Sequence, residues 1–371
     1  MKNKIRIIGA LCLAVIWAAL TVFAWFSPAA ETSLSERRNL AQFPETDSES
    51  IFSGRFMSAF EDYTTDQFPL RDSFRQLKAI FHQYALLQSD NNDLYIEDGY
   101  IAKMDYPLNP EEVTAATDRI CSIYEKMLKD AGCKVYASVV PDKSYYTDSH
   151  HLSMDHEQLF LTMQEALPFA EYIDITSDLE LSSYYRTDTH WRQETLVPVA
   201  QTLCEAMGMT APTAEEFTAE EVAQPFYGVY YGQAALPVKA DTMYLMQSEK
   251  LDACKVYIHN GMGFQPVNYT SVYDLEKLQS KDMYETYLSG TQSVMMIENP
   301  NATSDRHLVV FRDSFGSSVI PLLVSEYQTV TILDTRYIDS RRLPYFVEFN
   351  ENQDVLFLYS SLVLNTGSMI K

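Results

Sequence analysis

The chain has 371 residues, and 46% of them are hydrophobic, which is enough for one large folded domain or two smaller ones. Its formal net charge is −23. Such acidity argues against a nucleic-acid partner, whose phosphates need a basic surface, and against a basic patch for membrane surfaces.

The N-terminus carries an uncharged apolar run over 7–26, preceded by three basic residues, Lys2, Lys4 and Arg6. An apolar helix of ~20 residues crosses a bilayer core, and its basic flank stays in the cytoplasm. We therefore predict that residues 1–27 anchor the chain in the cell membrane, with the rest extracytoplasmic. Ser27-Pro28-Ala29 leaves cleavage as a signal peptide, and hence secretion, as the alternative.

Residues 28–50 are polar and hold Pro28 and Pro44, which predicts a stalk. Apolar residues at helical spacing then predict two helices, at about 51–65 and 70–87.

The remainder reads as an α/β domain, so that 51–371 is predicted to be one domain with a small β-rich lobe inserted at about 210–300. Asp98-Gly99 predicts a hairpin turn. Near-continuous apolar strands predict a parallel sheet covered by helices on both faces. The predicted strands are 134–140, 172–175, 308–311, 329–333 and 354–359, and the predicted helices are 110–130, 159–169, 194–207 and 315–326.

Two distant motifs carry the chemistry. Asp188-Thr189-His190-Trp191 lies on a loop before a helix, and Asp313-Ser314-Phe315 lies between a strand and a helix. A serine is a weak nucleophile until a histidine takes its proton, and a carboxylate orients that histidine. The pair therefore predicts a triad of Ser314, His190 and Asp188. The structural alternative is that the acid and the serine cap helices, as they commonly do.

A metal site is a further alternative, because five potential ligands crowd one segment, Asp148, His150, His151, Asp155 and His156. No helical His-Glu-x-x-His motif accompanies them, and polar loops often carry such residues. We predict neither a metal nor another cofactor.

Further candidates for substrate or oxyanion contact are chosen by their position at strand ends or in aromatic loops. They are Lys143, Arg186, Tyr227, Arg336 and Tyr337. We expect about two of these five to face the site, and the backbone N–H of Ser314 is the default oxyanion donor. Cys121 and Cys133 are the obvious disulfide pair, with free thiols as the alternative.

These motifs resemble those of the DHHW family of exported bacterial proteins, which is similar to the alginate O-acetyltransferases of the SGNH hydrolase superfamily. The resemblance covers nearly the whole chain after the anchor. It is carried by 35–40 with Phe43-Pro44, by 66–71, by Pro141-Asp142-Lys143, and by the two motifs above.

The resemblance implies an SGNH-like sheet in which the acid and the histidine precede the serine, a permuted order. It implies Ser314 as nucleophile, His190 as base and Asp188 as the orienting acid. The implied function is O-acyl transfer or ester hydrolysis on a cell-surface polysaccharide, with a membrane-bound O-acyltransferase as a partner that supplies the acyl group. Arg312 departs from the Gly-Asp-Ser of the superfamily. A non-catalytic protein for glycan binding or envelope assembly is the alternative.

Overall fold

The computed structural model describes residues 2–33, 35–148, 150–267, 269 and 271–367. The chain divides into two compact units. The first holds the residues up to Asn91 together with Tyr231–Pro237, and the second holds Asn92–Tyr230 and the residues from Val238 onward.

The α-helices are α1 (Lys2–Phe26), α2 (Ser48–Phe52), α3 (Arg55–Asp66), α4 (Arg71–Ile80), α5 (Pro110–Ile123), α6 (His156–Ala166), α7 (Val197–Ala206), α8 (Val229–Ala234), α9 (Glu249–Asp252), α10 (Gly316–Leu323) and α11 (Ser361–Leu364). Single π-helical turns, Phe81–Ala85 and Tyr124–Leu128, extend α4 and α5.

The strands are β1 (Thr32–Ser33), β2 (Arg38–Asn39), β3 (Leu94–Glu97), β4 (Tyr100–Lys103), β5 (Lys134–Val140), β6 (Glu171–Tyr172), β7 (Thr218–Phe226), β8 (Asp241–Gln247), β9 (Lys255–His259), β10 (Phe264–Val267), β11 (Val294–Glu298), β12 (His307–Arg312), β13 (Thr329–Leu333) and β14 (Gln353–Ser360).

Helix α1 confirms the predicted apolar helix at the N-terminus. Within the described part of the chain, the segment Lys4–Phe26 alone is long and apolar enough to cross a membrane. A signal anchor and a signal peptide share these properties, so α1 fits both alternatives.

The predicted stalk is instead folded, because its polar residues pair with α3 and α4. The guanidinium of Arg38 donates to both carboxylate oxygens of Asp66, at 2.7 and 2.5 Å. The N–H of Ala41 donates to the same carboxylate at 2.8 Å. Hydrogen bonding by Arg38 lowers the pKa of Asp66 to about 2. The first unit thus begins well before residue 51.

The second unit is built on an eight-stranded sheet in the order β10-β9-β11-β13-β12-β14-β5-β6. The five strands β13, β12, β14, β5 and β6 run parallel to one another. Both faces are covered: Leu308 and Val310 of β12 face one core cluster, and Val309 and Phe311 face the other. The α/β class with a mostly parallel sheet between helices is confirmed.

Two stretches differ from expectation. The strand predicted at 172–175 is only β6, because the Asp174 side chain accepts the N–H of Thr176 at 2.9 Å and turns the chain out of the sheet. Among the described residues of 210–300, β7 and β8 form a separate two-stranded sheet. Strands β9, β10 and β11 add antiparallel strands to the edge of the main sheet at β13.

Candidate active site

The serine of the second motif follows the carboxyl end of β12 directly. Asp313 shapes the turn, since its carboxylate accepts the N–H of Phe315 at 2.9 Å and the N–H of Ser360 at 2.7 Å. Both oxygens of Asp313 are therefore engaged by backbone. Ser314 is the half-buried residue of this turn, and α10 begins at Gly316. The hydroxyl is thus held at the edge of the sheet where the parallel strands end.

The structure brings the three residues of the predicted triad together. His190 Nδ1 lies 2.6 Å from Asp188 Oδ1, and His190 Nε2 lies 2.8 Å from Ser314 Oγ. A carboxylate only accepts hydrogen bonds, so Nδ1 carries the proton and donates it to Asp188. Nε2 is then free to accept from the hydroxyl of Ser314. This is the arrangement in which a histidine acts as a base toward a serine.

The carboxylate of Asp188 is fully buried and held on both oxygens. Oδ1 also accepts the backbone N–H of His190 at 3.1 Å, and Oδ2 accepts the N–H of Val229 at 2.8 Å. Gly228 packs directly against this acid, because a Cβ at position 228 would lie 2.2 Å from Asp188 Cβ. Only a residue without a side chain fits there, so Gly228 sets the position of Asp188.

The backbone just before Asp188 is held by a second carboxylate, Asp241 at the start of β8. Asp241 accepts the N–H of Arg186 at 2.8 Å, the N–H of Thr187 at 2.9 Å and the hydroxyl of Thr187 at 2.6 Å. The Thr187 hydroxyl in turn accepts the N–H of Gly228 at 2.9 Å. These bonds lock the loop that presents the acid and the histidine.

Lys143 lies beneath the same loop, and its side chain is fully buried. Its ammonium donates to the carbonyl oxygen of Tyr185 at 2.6 Å and to that of Asp188 at 2.5 Å. Burial lowers the pKa of Lys143 to about 8, against the opposing attraction of Asp142, Asp188 and Asp241. Two of its three N–H donors are thus held by buried carbonyls, and the substrate contact predicted for Lys143 stays a prediction.

The imidazole is wedged between aromatic rings. Tyr284 stacks on His190 with ring centroids 3.8 Å apart and an angle of 9° between the planes. Phe315 approaches from another side, at 4.9 Å. Trp191 is fully buried and donates its indole N–H to the Phe315 carbonyl at 3.0 Å and to Ser318 Oγ at 2.8 Å. Trp191 thus links the histidine loop to the serine helix.

Arg312, the departure from the superfamily pattern, is fully buried and structural. It donates to the carbonyl oxygen of Gly290 at 2.8 Å, and its guanidinium lies 3.5 Å from the carboxylate of Asp334. Its side chain passes close to Gly316, where a Cβ would lie 2.7 Å from Arg312 Cβ. Gly316, which follows Ser314 in the chain, therefore makes room for the Arg312 side chain.

Arg336 shares the same acid, since it donates to both carboxylate oxygens of Asp334, at 2.9 and 2.7 Å. Its side chain is only 10% exposed. One bidentate edge of the guanidinium is thus paired with Asp334, and the substrate role of Arg336 stays a prediction. Tyr337 beside it is 54% exposed and lies under the Arg336 guanidinium.

The last two candidates lie on the histidine side. The guanidinium of Arg186 lies over the ring of Tyr100, 5.3 Å from its centroid, and Arg186 is half-buried. Tyr227 is 42% exposed, immediately before Gly228. Tyr227 and Tyr337 are the two candidates whose side chains remain open, and their contact with substrate stays a prediction.

The potential metal ligands of 148–156 are dispersed. His151 stacks on Tyr95 with centroids 3.9 Å apart, and the buried His156 packs against Tyr145. Over the described residues, no three histidine, cysteine or acidic side chains are placed to hold a metal ion. The alternative to the Cys121–Cys133 disulfide holds, since both thiols are free, as are those of Cys204 and Cys254.

Sequence comparison confirms the predicted resemblance to the DHHW family. Residues 171–333, which include the histidine motif and the serine motif, match the family model of the DHHW protein. This stretch is DHHW-family sequence. No curated protein matches the chain.

Among solved structures, a DHHW family protein from Eubacterium siraeum has a TM-score of 0.60 and 18% identity, covering 76% of this chain and 94% of that one. PatB1 of Bacillus cereus has a TM-score of 0.60 and 18% identity, covering 75% and 98%. PatB1 of Bacillus cereus with a sulfonyl adduct has a TM-score of 0.59 and 18% identity, covering 75% of this chain and 97% of that one. At such identities, the similarities show a shared fold.

Proposed function

We propose that the chain is an extracytoplasmic O-acyltransferase or esterase that acts on a cell-surface polysaccharide through an acyl-serine intermediate on Ser314. The observation that carries the proposal is the distance of 2.8 Å between His190 Nε2 and Ser314 Oγ, with Asp188 behind the ring at 2.6 Å. A serine that merely caps a helix needs no histidine at its hydroxyl.

In the first step, Ser314 Oγ attacks the carbonyl carbon of an acyl donor while its proton passes to His190 Nε2. The imidazolium is stabilised by the buried carboxylate of Asp188. The same proton then goes to the departing oxygen as the donor bond breaks, which leaves the acyl group on Ser314. The backbone N–H of Ser314 is the proposed donor to the oxyanion.

In the second step, a sugar hydroxyl or a water molecule gives its proton to His190 and attacks the acyl carbon. Ser314 regains its proton as the ester bond to Oγ breaks. A sugar acceptor gives transfer, and water gives hydrolysis. The exposed rings of Tyr227 and Tyr337 suit the apolar faces of a sugar. A membrane-bound O-acyltransferase is the proposed supplier of the acyl group.

The test uses the full-length protein in detergent with an activated acetyl ester, followed by peptide mass spectrometry. We expect an acetyl group on Ser314 and no adduct in Ser314→Ala. The acetyl group should then be lost, by transfer when a polysaccharide acceptor is added or by slower hydrolysis without one. An unmodified Ser314 under conditions where free serine esters are stable would favour the alternative, a non-catalytic glycan-binding or envelope-assembly protein on the same fold.

A further inference from the structure

Helix α4 of the first unit has its polar and apolar faces reversed. Leu70, Phe74, Leu77, Phe81 and Tyr84 recur at spacings of three and four residues and form one stripe along α4 and its π-helical extension. Their exposed fractions are 65%, 44%, 61%, 55% and 65%. A helix of a water-soluble domain normally buries such a stripe. We call it the α4 stripe.

The polar face of α4 points inward instead. Arg71 pairs with Glu36, and Arg75 lies 3.3 Å from the same carboxylate. Arg75 also donates to the carbonyl oxygen of Gly232 at 2.7 Å, and Gln76 donates to the Tyr231 hydroxyl at 3.3 Å. These bonds fix the rotation of the helix about its axis, so the stripe stays outside as long as the unit is folded.

The neighbouring α3 is tied to the end of the apolar helix α1. Ala30, four residues after the end of α1, donates its N–H to Gln67 Oε1 at 2.9 Å. Gln67 Nε2 returns a bond to the Ala30 carbonyl at 2.9 Å. A cleft of about 210 Å³ lies between the two helices, lined by Trp17, Leu20 and Trp25 of α1 and by Phe60 and Tyr63 of α3, among others.

This cleft sets α3 beside the segment of α1 that is predicted to cross the bilayer. Crossing the hydrocarbon core takes ~20 residues, so the whole run over 7–26 is used in the crossing and none of it is left to project into water. The cleft extends from Trp25 back to Trp17, which is about 12 Å of helix. A helix lying beside that length of α1 reaches the membrane interface, and α4 follows it after four residues, 67–70.

The charge of the segment fits the same surface. The chain as a whole is strongly acidic, yet residues 70–87 carry a single acid, Asp72, and their basic residues Arg71 and Arg75 are paired on the inner face. Lys78 is exposed beside the α4 stripe. Interfacial helices combine an apolar face with basic residues that remain at the level of the lipid headgroups.

We propose that α4 with its π-helical extension lies in the membrane interface beside α1, with the α4 stripe inserted among phospholipid acyl chains. The proposal rests on α1 being the membrane anchor, and α3, which lies beside α1, leads directly into α4, so the occupant is the lipid bilayer itself. The proposal concerns the first unit and does not depend on the chemistry at Ser314.

The test places the full-length chain in phosphatidylcholine nanodiscs that contain a phospholipid with a photoactivatable diazirine near the headgroup. After irradiation, mass spectrometry locates the lipid adducts. We expect adducts on peptides covering 70–87 as well as on α1. Adducts confined to α1 would overturn the proposal.

Leu77→Glu with Phe81→Glu should reduce the adducts on 70–87 severalfold, because a charge resists insertion. The matched control is Leu161→Glu, which changes a leucine that is 47% exposed on α6, and should leave the adducts unchanged. An equal loss in both would contradict the proposal.

A second variant guards against misfolding of the double mutant. Trp17 and Trp25 of α1 should themselves be quenched by brominated phospholipids, so Leu77→Trp is compared with the wild type. We expect the added indole to increase the quenched fluorescence, and an added emission that is not quenched would overturn the proposal. A protein partner is the competing occupant. A photoreactive residue at position 77 that cross-links only to protein in native membranes would replace the lipid by that partner.

Discussion

The histidine loop and the α4 stripe both place side chains against the usual partition of polar and apolar groups. In the loop, buried polar groups are matched one by one: Asp188 by two N–H groups and an imidazole, and Lys143 by two carbonyls. On α4, the five apolar side chains of the stripe stay 44% to 65% exposed. Buried polar groups that are all hydrogen-bonded indicate a preorganised site. Apolar groups that stay exposed indicate a surface that contacts an apolar environment instead of water.

The largest effect should come from the base of the proposed triad. His190→Ala removes the group that takes the proton of Ser314, and loss of the base in a serine triad costs about 10⁶-fold in rate. Burst and steady-state release from an activated acetyl ester measure it. A variant within tenfold of the wild type would place His190 outside the chemistry.

Asp188→Asn should come next, at about 10⁴-fold, because an amide at this position no longer selects the proton on Nδ1. The same assay measures it, with circular dichroism to show that the fold survives. A rate equal to that of the wild type would mean that the buried acid serves only the loop.

Gly228→Ala tests positioning without touching the triad. The added Cβ would fall 2.2 Å from Asp188 Cβ, so the acid must move, and a displacement of about 1 Å can cost about 10²-fold. Gly263→Ala is the matched control, because nothing lies within 4 Å of a Cβ there. We expect the control to keep its full rate, and equal rates in the two variants would refute the role assigned to Gly228.

Lys143→Met should act on stability more than on chemistry. It leaves the carbonyls of Tyr185 and Asp188 buried without a donor, at a cost of about 1–3 kcal/mol each. Urea unfolding measures the loss. A variant as stable as the wild type would show that the buried ammonium contributes nothing to the loop.

The same pair of proteins should also show a pH dependence. The pKa of Lys143 is about 8 when folded, against an ordinary value of about 10.4 when unfolded. The unfolded chain binds more protons between these values, so the wild type should gain stability relative to Lys143→Met as pH rises from 8 to 10. A difference that is constant over this range would contradict the lowered pKa.

The sequence predicted the elements that carry the proposed triad because its signals are local. Apolar strands that end in a polar residue locate Ser314, and the spacing of Asp188 and His190 places both on one loop. The parallel sheet then brings strand ends to one edge. The distance between His190 and Ser314 follows from this topology, while their catalytic role stays a prediction.

The residues that hold the histidine loop in place carry no local sequence signal of that role. Asp241 lies 54 residues after Thr187 and Tyr284 lies 94 residues after His190, and neither stands in a motif. Arg336 follows a strand end as an active-site residue would, but it pairs with Asp334. The prediction of a stalk at 28–50 differs from the structure because polar composition does not reveal that Arg38 pairs with Asp66. In each case, a contact between distant residues decides the outcome.

The most direct test of the central claim is covalent labelling of Ser314. A sulfonyl fluoride, a reagent class suited to activated serine hydroxyls, is added to the full-length protein and to its Ser314→Ala and His190→Ala variants. Peptide mass spectrometry then locates the label. We expect one sulfonyl group on Ser314 in the wild type, none in Ser314→Ala, and labelling slowed by orders of magnitude in His190→Ala. Equal labelling of the wild type and His190→Ala, or a label on another residue alone, would contradict an activated serine at this site.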